Sequence, residues 1–462
     1  MKRLMSIVGW ILTVALCVIY GIPLALLAIV PLCPLGGQHL SSIVMPVTIA
    51  CLTSWAFLLA LAVFIGWLCR KRNWDAKGYY RGGGLLILLA VSLLFLIDAP
   101  PPRDLYTWDS IPSPRNDAAK THELVMSLQH IELARDEEIM RFVGTFPNPT
   151  NLLPHAAAIE AMWSSIEPAR KVIEELDGFA EIGDIVTDDD SRKVLFVRVR
   201  NLAQRYWLYA ALKVAQGKSE DGVRPLVQLH SVCRKSLPFS ENLLPKMIWI
   251  AICGGDLWDA YDVVRSPNCS KEAVRLLREG FEPLTEDEIS LRGAFIGSFL
   301  QGIREIKNLQ DGQFLDAFTW YEVGKPKPPP PFWSRNLSRV VSFVAFKRHR
   351  TASYCGPYSA LLIEGAARHP PDPSAMEDCV SSRAKTPDFR NMGGWLLFRL
   401  GAPSYQSFTK AVGTASRAKV WSDLLAVELH ERLGQPVEIP DYFTGKTYIR
   451  DEKTGTLSSA GP

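Results

Sequence analysis

Two Ser-x-x-Lys tetrads, Ser382-Arg-Ala-Lys385 and Ser416-Arg-Ala-Lys419, set a hydroxyl and an amine about one helical turn apart, the spacing in which a lysine can activate a serine nucleophile. Ser240-Glu-Asn242 and Lys453-Thr-Gly455 would complete the three-motif set of a serine acyl-transfer enzyme. Order and spacing speak against that chemistry. In such enzymes the nucleophile precedes the Ser-x-Asn motif, whereas Ser240 precedes both candidate serines. Only 37 residues separate Ser416 from Lys453, too few for the domain that normally lies between the two motifs. The tetrads are therefore read as coincidental.

His122-Glu123 and His130-Ile-Glu132 put two imidazoles on neighbouring turns of one helix, because eight residues rotate about 80° past two full turns. A helical zinc-hydrolase site needs its histidines four apart, and that spacing is missing. His155, His230, His349, His369 and His430 are scattered. Asp188-Asp189-Asp190-Ser191 lacks the alternating ligands and closing Glu of a calcium loop and reads better as a helix cap. No Gly-x-Ser-x-Gly, phosphate loop or dinucleotide fingerprint occurs. The catalytic residues, if any exist, are unknown from the sequence, and no cofactor or metal is expected.

Nine cysteines divide by position. Cys17, Cys33, Cys51 and Cys69 lie within or beside long apolar runs, where a thiol behaves as a small apolar side chain. Cys233, Cys253, Cys269, Cys355 and Cys379 follow later, odd in number and without Cys-x-x-Cys spacing, which leaves disulfides allowed but not demanded.

The elements that would position these residues begin with a membrane anchor. Between Arg3 and Arg70 stand 66 consecutive residues without Asp, Glu, Lys or Arg, whereas one bilayer crossing needs roughly 20. A break at Pro31-Leu-Cys-Pro-Leu-Gly-Gly37 divides the run into spans near 4–30 and 43–68, and a shorter third span is expected at 82–98. Lys2 and Arg3 at the start, and Arg70, Lys71, Arg72, Lys77 and Arg81 between spans two and three, place those segments in the cytoplasm by the positive-inside rule. Three crossings then put residues 99–462 outside. A bacterial-type inner membrane is the expected location, and the lipid bilayer is the first partner.

Charge separates the two parts: residues 1–98 hold seven Lys/Arg against two Asp, and the remainder holds 44 Lys/Arg against 46 Asp/Glu. A near-neutral body has no basic excess for nucleic acid, so no nucleic-acid partner is expected. With 48% hydrophobic residues overall, the chain can bury a large core.

Pro100, Pro101, Pro102, Pro112 and Pro114 make 99–115 a stiff spacer. The body, 116–436, reads as mainly α. Leu195, Val199, Leu202, Tyr206, Tyr209 and Leu212 recur at three- and four-residue steps over 191–216, Gly217-Lys218 stops that helix, and a partner helix follows from Ser219. Further helices are expected at 116–141, 155–175, 241–264, 271–279, 287–308 and 404–433. No sustained period decides between an irregular bundle and a solenoid. Five prolines in Lys325-Pro-Lys-Pro-Pro-Pro-Pro-Phe332 make 325–332 an extended hinge. Val340-Val-Ser-Phe-Val-Ala-Phe-Lys-Arg-His-Arg350 is expected to be a core helix whose cations sit near its C-terminus and complement its dipole, in preference to a helix lying on anionic lipid.

After Gly434, residues 437–462 change character: a turn leads to a strand over Lys446–Arg450, which pairs with 456–460 in a β-hairpin. Pro440, Asp441, Phe443, Thr444, Gly445, Lys446, Tyr448 and the terminal Ser459-Ala-Gly-Pro462 make this tail resemble that of uncharacterised bacterial membrane-anchored α-helical proteins, and distantly the ending of secretion-system pseudopilins. Tyr442 stands where the pseudopilin pattern has proline, and the amino end has no prepilin cleavage site. The resemblance implies a small ordered cap on the last helix, with no chemistry attached.

These readings converge on a membrane-anchored, extracytoplasmic α-helical protein for interaction or envelope assembly, whose partners are other membrane or envelope proteins. The alternative is an envelope hydrolase whose active site is assembled from residues distant in sequence. A channel is disfavoured, because the spans carry no ionisable residue to line a polar path.

Overall fold

The computed structural model describes residues 105–112, 117–128, 131, 149–183, 196–308, 346–368, 391, 405–452 and 456–460. The three expected spans, the hinge at 325–332 and the acidic run Asp188–Asp190 lie outside the described residues, among which no helix is long and apolar enough to cross a membrane. The described chain is mainly helical and ends in one short hairpin. Its helices are α1 (Ala118–Leu128), α2 (Ala156–Ser165), α3 (Glu167–Asp177), α4 (Phe196–Ala215), α5 (Ser219–Ser236), α6 (Leu243–Arg265), α7 (Lys271–Gly280), α8 (Glu286–Ile289), α9 (Arg292–Asn308), α10 (Arg348–Ala366) and α11 (Tyr405–Arg432). Two compact units divide it: described residues 106–300, 359–368 and 405–460 form the larger, and 105, 301–358 and 391 contribute to the smaller.

Within the larger unit α6 is the central element. The buried residues Trp249, Ile250, Ile252, Cys253, Leu257, Ala260, Tyr261, Val263 and Val264 of α6 together occupy about half of its circumference, while Leu244, Ala251 and Trp258 on the opposite side are exposed. An apolar face that wide needs more than one neighbour to cover it. The covering comes from α11, α5 and α4. Each large side chain so enclosed contributes about 1.5–3 kcal/mol relative to exposure. A second cluster, Leu152, Ile159, Met162, Leu208, Ala211 and Leu212, fastens α2 to α4. Beside it Trp163 stacks on Tyr209 with centroids 4.0 Å apart, and the Arg170 guanidinium lies 4.7 Å from the Trp163 ring.

The helix ends follow from their sequences. Gly217 and Gly434 adopt φ of 74° and 72° and close α4 and α11 in the same way: the amide after each glycine reaches back five residues, Lys218 to the Lys213 carbonyl at 2.8 Å and Gln435 to that of His430 at 2.9 Å. The Ser270 hydroxyl accepts from the Ala273 N–H to start α7 and donates to Glu220 at 2.7 Å, tying that start to the first turn of α5.

Two expected helices are each divided in the structure. The helix read over 155–175 breaks at Ile166, because Pro168 has no N–H to bond the carbonyl of Ser164 and instead occupies the first turn of α3. The one read over 287–308 breaks after Ile289: Thr285 and Glu288 form a reciprocal capping box on α8, and Ser290 turns extended, with ψ of 128°, before α9 starts. The basic cluster is also placed differently. Lys347-Arg-His-Arg350 opens α10 at its N-terminus, where Asn391 accepts from the Lys347 N–H at 2.7 Å and donates to the Thr351 hydroxyl at 2.9 Å and so fixes the first turn, while residues 340–345 of the expected helix lie outside the described residues.

The tail matches its sequence pattern. β1 (Ile449–Arg450) pairs antiparallel with β2 (Leu457–Ser458), Ile449 opposite Ser458 and Arg450 opposite Leu457. Leu457 is buried, and its N–H donates to the Tyr261 hydroxyl of α6 at 3.3 Å.

Candidate functional site

Titratable and nucleophilic side chains concentrate at two places in the larger unit. The first is where α4, α5 and α6 meet. Trp207 of α4 donates its indole N–H to Asp256 Oδ1 of α6 at 2.6 Å. From α5, His230 places Nδ1 3.8 Å from Asp256 Oδ2 and 3.8 Å from the Cys253 sulfur. The His230 ring stacks on Phe281, with centroids 4.0 Å apart and planes 15° from parallel. His230, Cys233, Cys253 and Asp256 are completely buried.

A thiol, an imidazole and a carboxylate side by side are the components of a cysteine nucleophile and its base. Their surroundings set them to a different task. Burial, reinforced by the nearby Asp256 carboxylate, pushes both the Cys233 and Cys253 thiols well above their ordinary pKa, so they stay protonated. Burial likewise raises Asp256, against the opposing effect of His230, Trp207 and Cys233. At 3.8 Å the imidazole is beyond hydrogen-bond distance from the carboxylate, so the short Trp207 bond is the anchor. The cluster holds three helices in register through polar groups enclosed in apolar packing.

One turn further along α6, Asp259 is also buried, and its Oδ2 has no hydrogen-bond partner. Burial drives its pKa well above the ordinary carboxylate value, and the neighbouring Asp256 and Asp262 add to the rise.

The second concentration is where the tail meets α11. The Asp441 carboxylate accepts backbone N–H bonds from Phe443 at 2.8 Å, Thr444 at 3.0 Å and Ala460 at 3.1 Å. Burial works against its charge, but these bonds and the Ser459 hydroxyl outweigh it and hold the pKa below the ordinary value. Tyr448 donates to Asp423 Oδ2 at 3.1 Å, and Lys419 pairs with the other oxygen of the same carboxylate. Tyr442 bonds to Ser416, and burial pushes its phenol up to about 12. Ser416 and Tyr442, with Ser290 and five apolar residues, line a cavity of about 10 Å³, the size of a single water.

The residues singled out from motifs are thus dispersed. Ser416 faces Tyr442, while its tetrad partner Lys419 is bound to Asp423. Ser240 is buried elsewhere and donates to the Ser236 carbonyl at 3.3 Å, at the end of α5. His122 lies on α1. His130, Ser382, Lys385, Cys379 and Lys453–Gly455 lie outside the described residues. Asp256 and Asp423, which belong to no motif, carry interior polar bonds, as do Asp441 and Tyr448 of the tail, while Asp259 is buried with an unpartnered oxygen. Their signal was slight: an Asp every third residue on a helix otherwise apolar, and an Asp preceding a Gly-containing turn.

Among the described residues Cys233, Cys253, Cys269 and Cys355 are free thiols. Burial raises both Cys269 and Cys355 to about 11. Maleimide labelling of the native protein, read by peptide mass spectrometry, is expected to modify Cys269 and Cys355 slowly, and Cys233 and Cys253 only after denaturant is added. Rapid labelling of Cys233 in the native state would contradict the sealed packing around it.

Apolar groups do reach the surface. Trp258 is 43% exposed and meets Trp421 edge to face at 4.3 Å, while Leu244 at the start of α6 is 70% exposed and Trp108 44%. No family model, curated protein or solved structure matches the chain.

Proposed function

We propose that this chain is a membrane-anchored α-helical protein for interaction or envelope assembly, held by three N-terminal spans in a bacterial-type inner membrane with residues 99–462 outside the cytoplasm. The observation that carries the reading is the 66-residue uncharged run between Arg3 and Arg70, flanked by the cationic segments Lys2-Arg3 and Arg70-Lys-Arg72. The body adds support from how its polar groups are used. Asp256 bonds Trp207 across helices, Lys213 pairs with Glu160, Lys235 with Asp177 and Arg234 with Glu288, so these charges are engaged in holding helices together. The large apolar side chain of Trp258, 43% exposed, remains available for partners.

A C-terminal reporter tests the topology. Alkaline phosphatase fused after Pro462 is expected to be active in cells, and a fluorescent protein that matures only in the cytoplasm is expected to stay dark. The reverse result would move the body inside and leave only the anchor. Crosslinking in intact cells, followed by purification from detergent, tests the interaction role, for which recurrent envelope-protein adducts are expected.

A further inference from the structure

We infer that the end of the body carrying Trp108 and Leu244 rests on the bilayer surface, an inference that rests on the anchored topology proposed above. Two glycines, Gly293 and Gly297, lie one turn apart on α9 and leave its backbone open to close approach. Ile111 and Pro112 lie against Gly293, while Ile111 and the Glu241 carbonyl lie against Gly297. The Leu243 N–H donates to Ser298 at 3.1 Å, and the Tyr106 ring meets Phe299 edge to face with centroids 6.1 Å apart. The segment that brings the chain in from the anchor and the first turn of α6 are therefore fastened to one stretch of one helix.

The covalent chain indicates what this end faces. Seven residues stand between Asp98, at the end of the third expected span, and Tyr106. Even fully extended, that tether reaches about 30 Å. The opposite end of α6, where Arg265 bonds Thr456 of the hairpin at 3.1 Å, lies about 33 Å away along the helix axis. Of the two ends, the one bearing Trp108 and Leu244 is the one the tether holds near lipid.

The side chains suit that position. Trp108 and Leu244 are exposed, and tryptophan favours the headgroup layer, where its ring is half apolar and its N–H can bond. Arg292, exposed at the start of α9 and close enough to Tyr106 to influence its phenol, offers a cation to headgroup phosphate. Asp109 is exposed beside Trp108, which suits the headgroup layer and not the hydrocarbon.

The test places the photocrosslinker p-benzoylphenylalanine at Leu244, or at Ile449 as a control on the hairpin at the far end, which is 54% exposed. The full-length protein in nanodiscs of phosphatidylethanolamine and phosphatidylglycerol is irradiated, and adducts are identified by mass spectrometry. Several-fold more phospholipid adduct from position 244 than from 449 is expected. Equal or no lipid adduct at 244, with the phosphatase reporter active outside, overturns the surface contact and leaves the topology standing. A protein adduct replacing the lipid adduct at 244 in native membranes also overturns it, in favour of a protein partner. Lipid adduct at 244 together with a fluorescent cytoplasmic reporter upholds the contact while defeating the topology.

Discussion

Replacing Gly297 with alanine is expected to destabilise the larger unit by about 3 kcal/mol or more, among the largest effects of any single-methyl addition to this protein. A Cβ at position 297 would sit 1.7 Å from the carbonyl oxygen of Glu241, a backbone atom that no rotamer change can move aside. Relief requires separating α9 from the chain leading into α6, which also strains the Leu243–Ser298 hydrogen bond and lifts Ile111 from its seat. The same substitution at Gly413, within α11 and with nothing within 4 Å of the added carbon, supplies the control. There alanine is expected to stabilise by about 0.5–1 kcal/mol, because it restricts the unfolded chain and favours helix. Denaturant unfolding of both variants, followed by circular dichroism, should move the midpoints in opposite directions. Equal midpoints would mean that α9 does not make this close approach.

The second large effect concerns Asp259. Changing it to asparagine is expected to stabilise the protein at neutral pH by about 1–3 kcal/mol, since a buried carboxyl with an unpartnered oxygen carries a desolvation cost that the amide reduces. The effect should depend on pH in a defined direction. Because burial raises the folded-state pKa of Asp259, the native protein binds a proton that the unfolded chain has already released. Its contribution is fully present below the unfolded carboxylate pKa and is lost as pH rises toward the folded value, at about 1.4 kcal/mol per pH unit for one group. The gain from asparagine should therefore grow from pH 5 to pH 8. Asp441 works oppositely: its folded pKa is lowered, so its contribution is present above the unfolded pKa and disappears in acid. Unfolding curves between pH 3 and pH 8 should show a maximum in the native protein and a flatter alkaline side in Asp259→Asn. An unchanged alkaline slope would show that Asp259 is hydrated in solution.

Much of this helical framework was legible in the residues themselves. The reading of a helix over 271–279 and of another over 404–433 differs from α7 and α11 by a residue or two, because Ser270, Gly434 and the apolar stripes between them act locally. The hairpin was legible for the same reason, since a Gly-containing turn between two short extended runs admits few alternatives. The division of 155–175 was also written in the sequence, in Pro168, but it is overshadowed by the uninterrupted apolar periodicity around it. The polar interior was not legible. Trp207, His230 and Asp256 are brought together by helix packing across 49 residues, and nothing near any one of them announces the other two. An isolated Asp on an apolar helix reads as a solvent-facing residue until its neighbours are known. Similarly, the start of α10 at the basic cluster was not legible, because its cap, Asn391, lies 44 residues from Lys347.

The docking of the tail bears on when the body can be finished. Thr456 and Leu457 bond to Arg265 and Tyr261 across 191 and 196 residues, and Arg450 pairs with Glu431 near the end of α11. They are made nearly 200 residues after the part of α6 that they contact. Until they emerge, α6 can gather α4 and α5, which precede or adjoin it, but its side toward α11 stays open and apolar. Completion of that side therefore waits until α11 and the hairpin have both been made. A closing step held that far along the chain leaves the partly made body loose on one side, and the same open face is where a premature stop would expose it to aggregation and proteolysis.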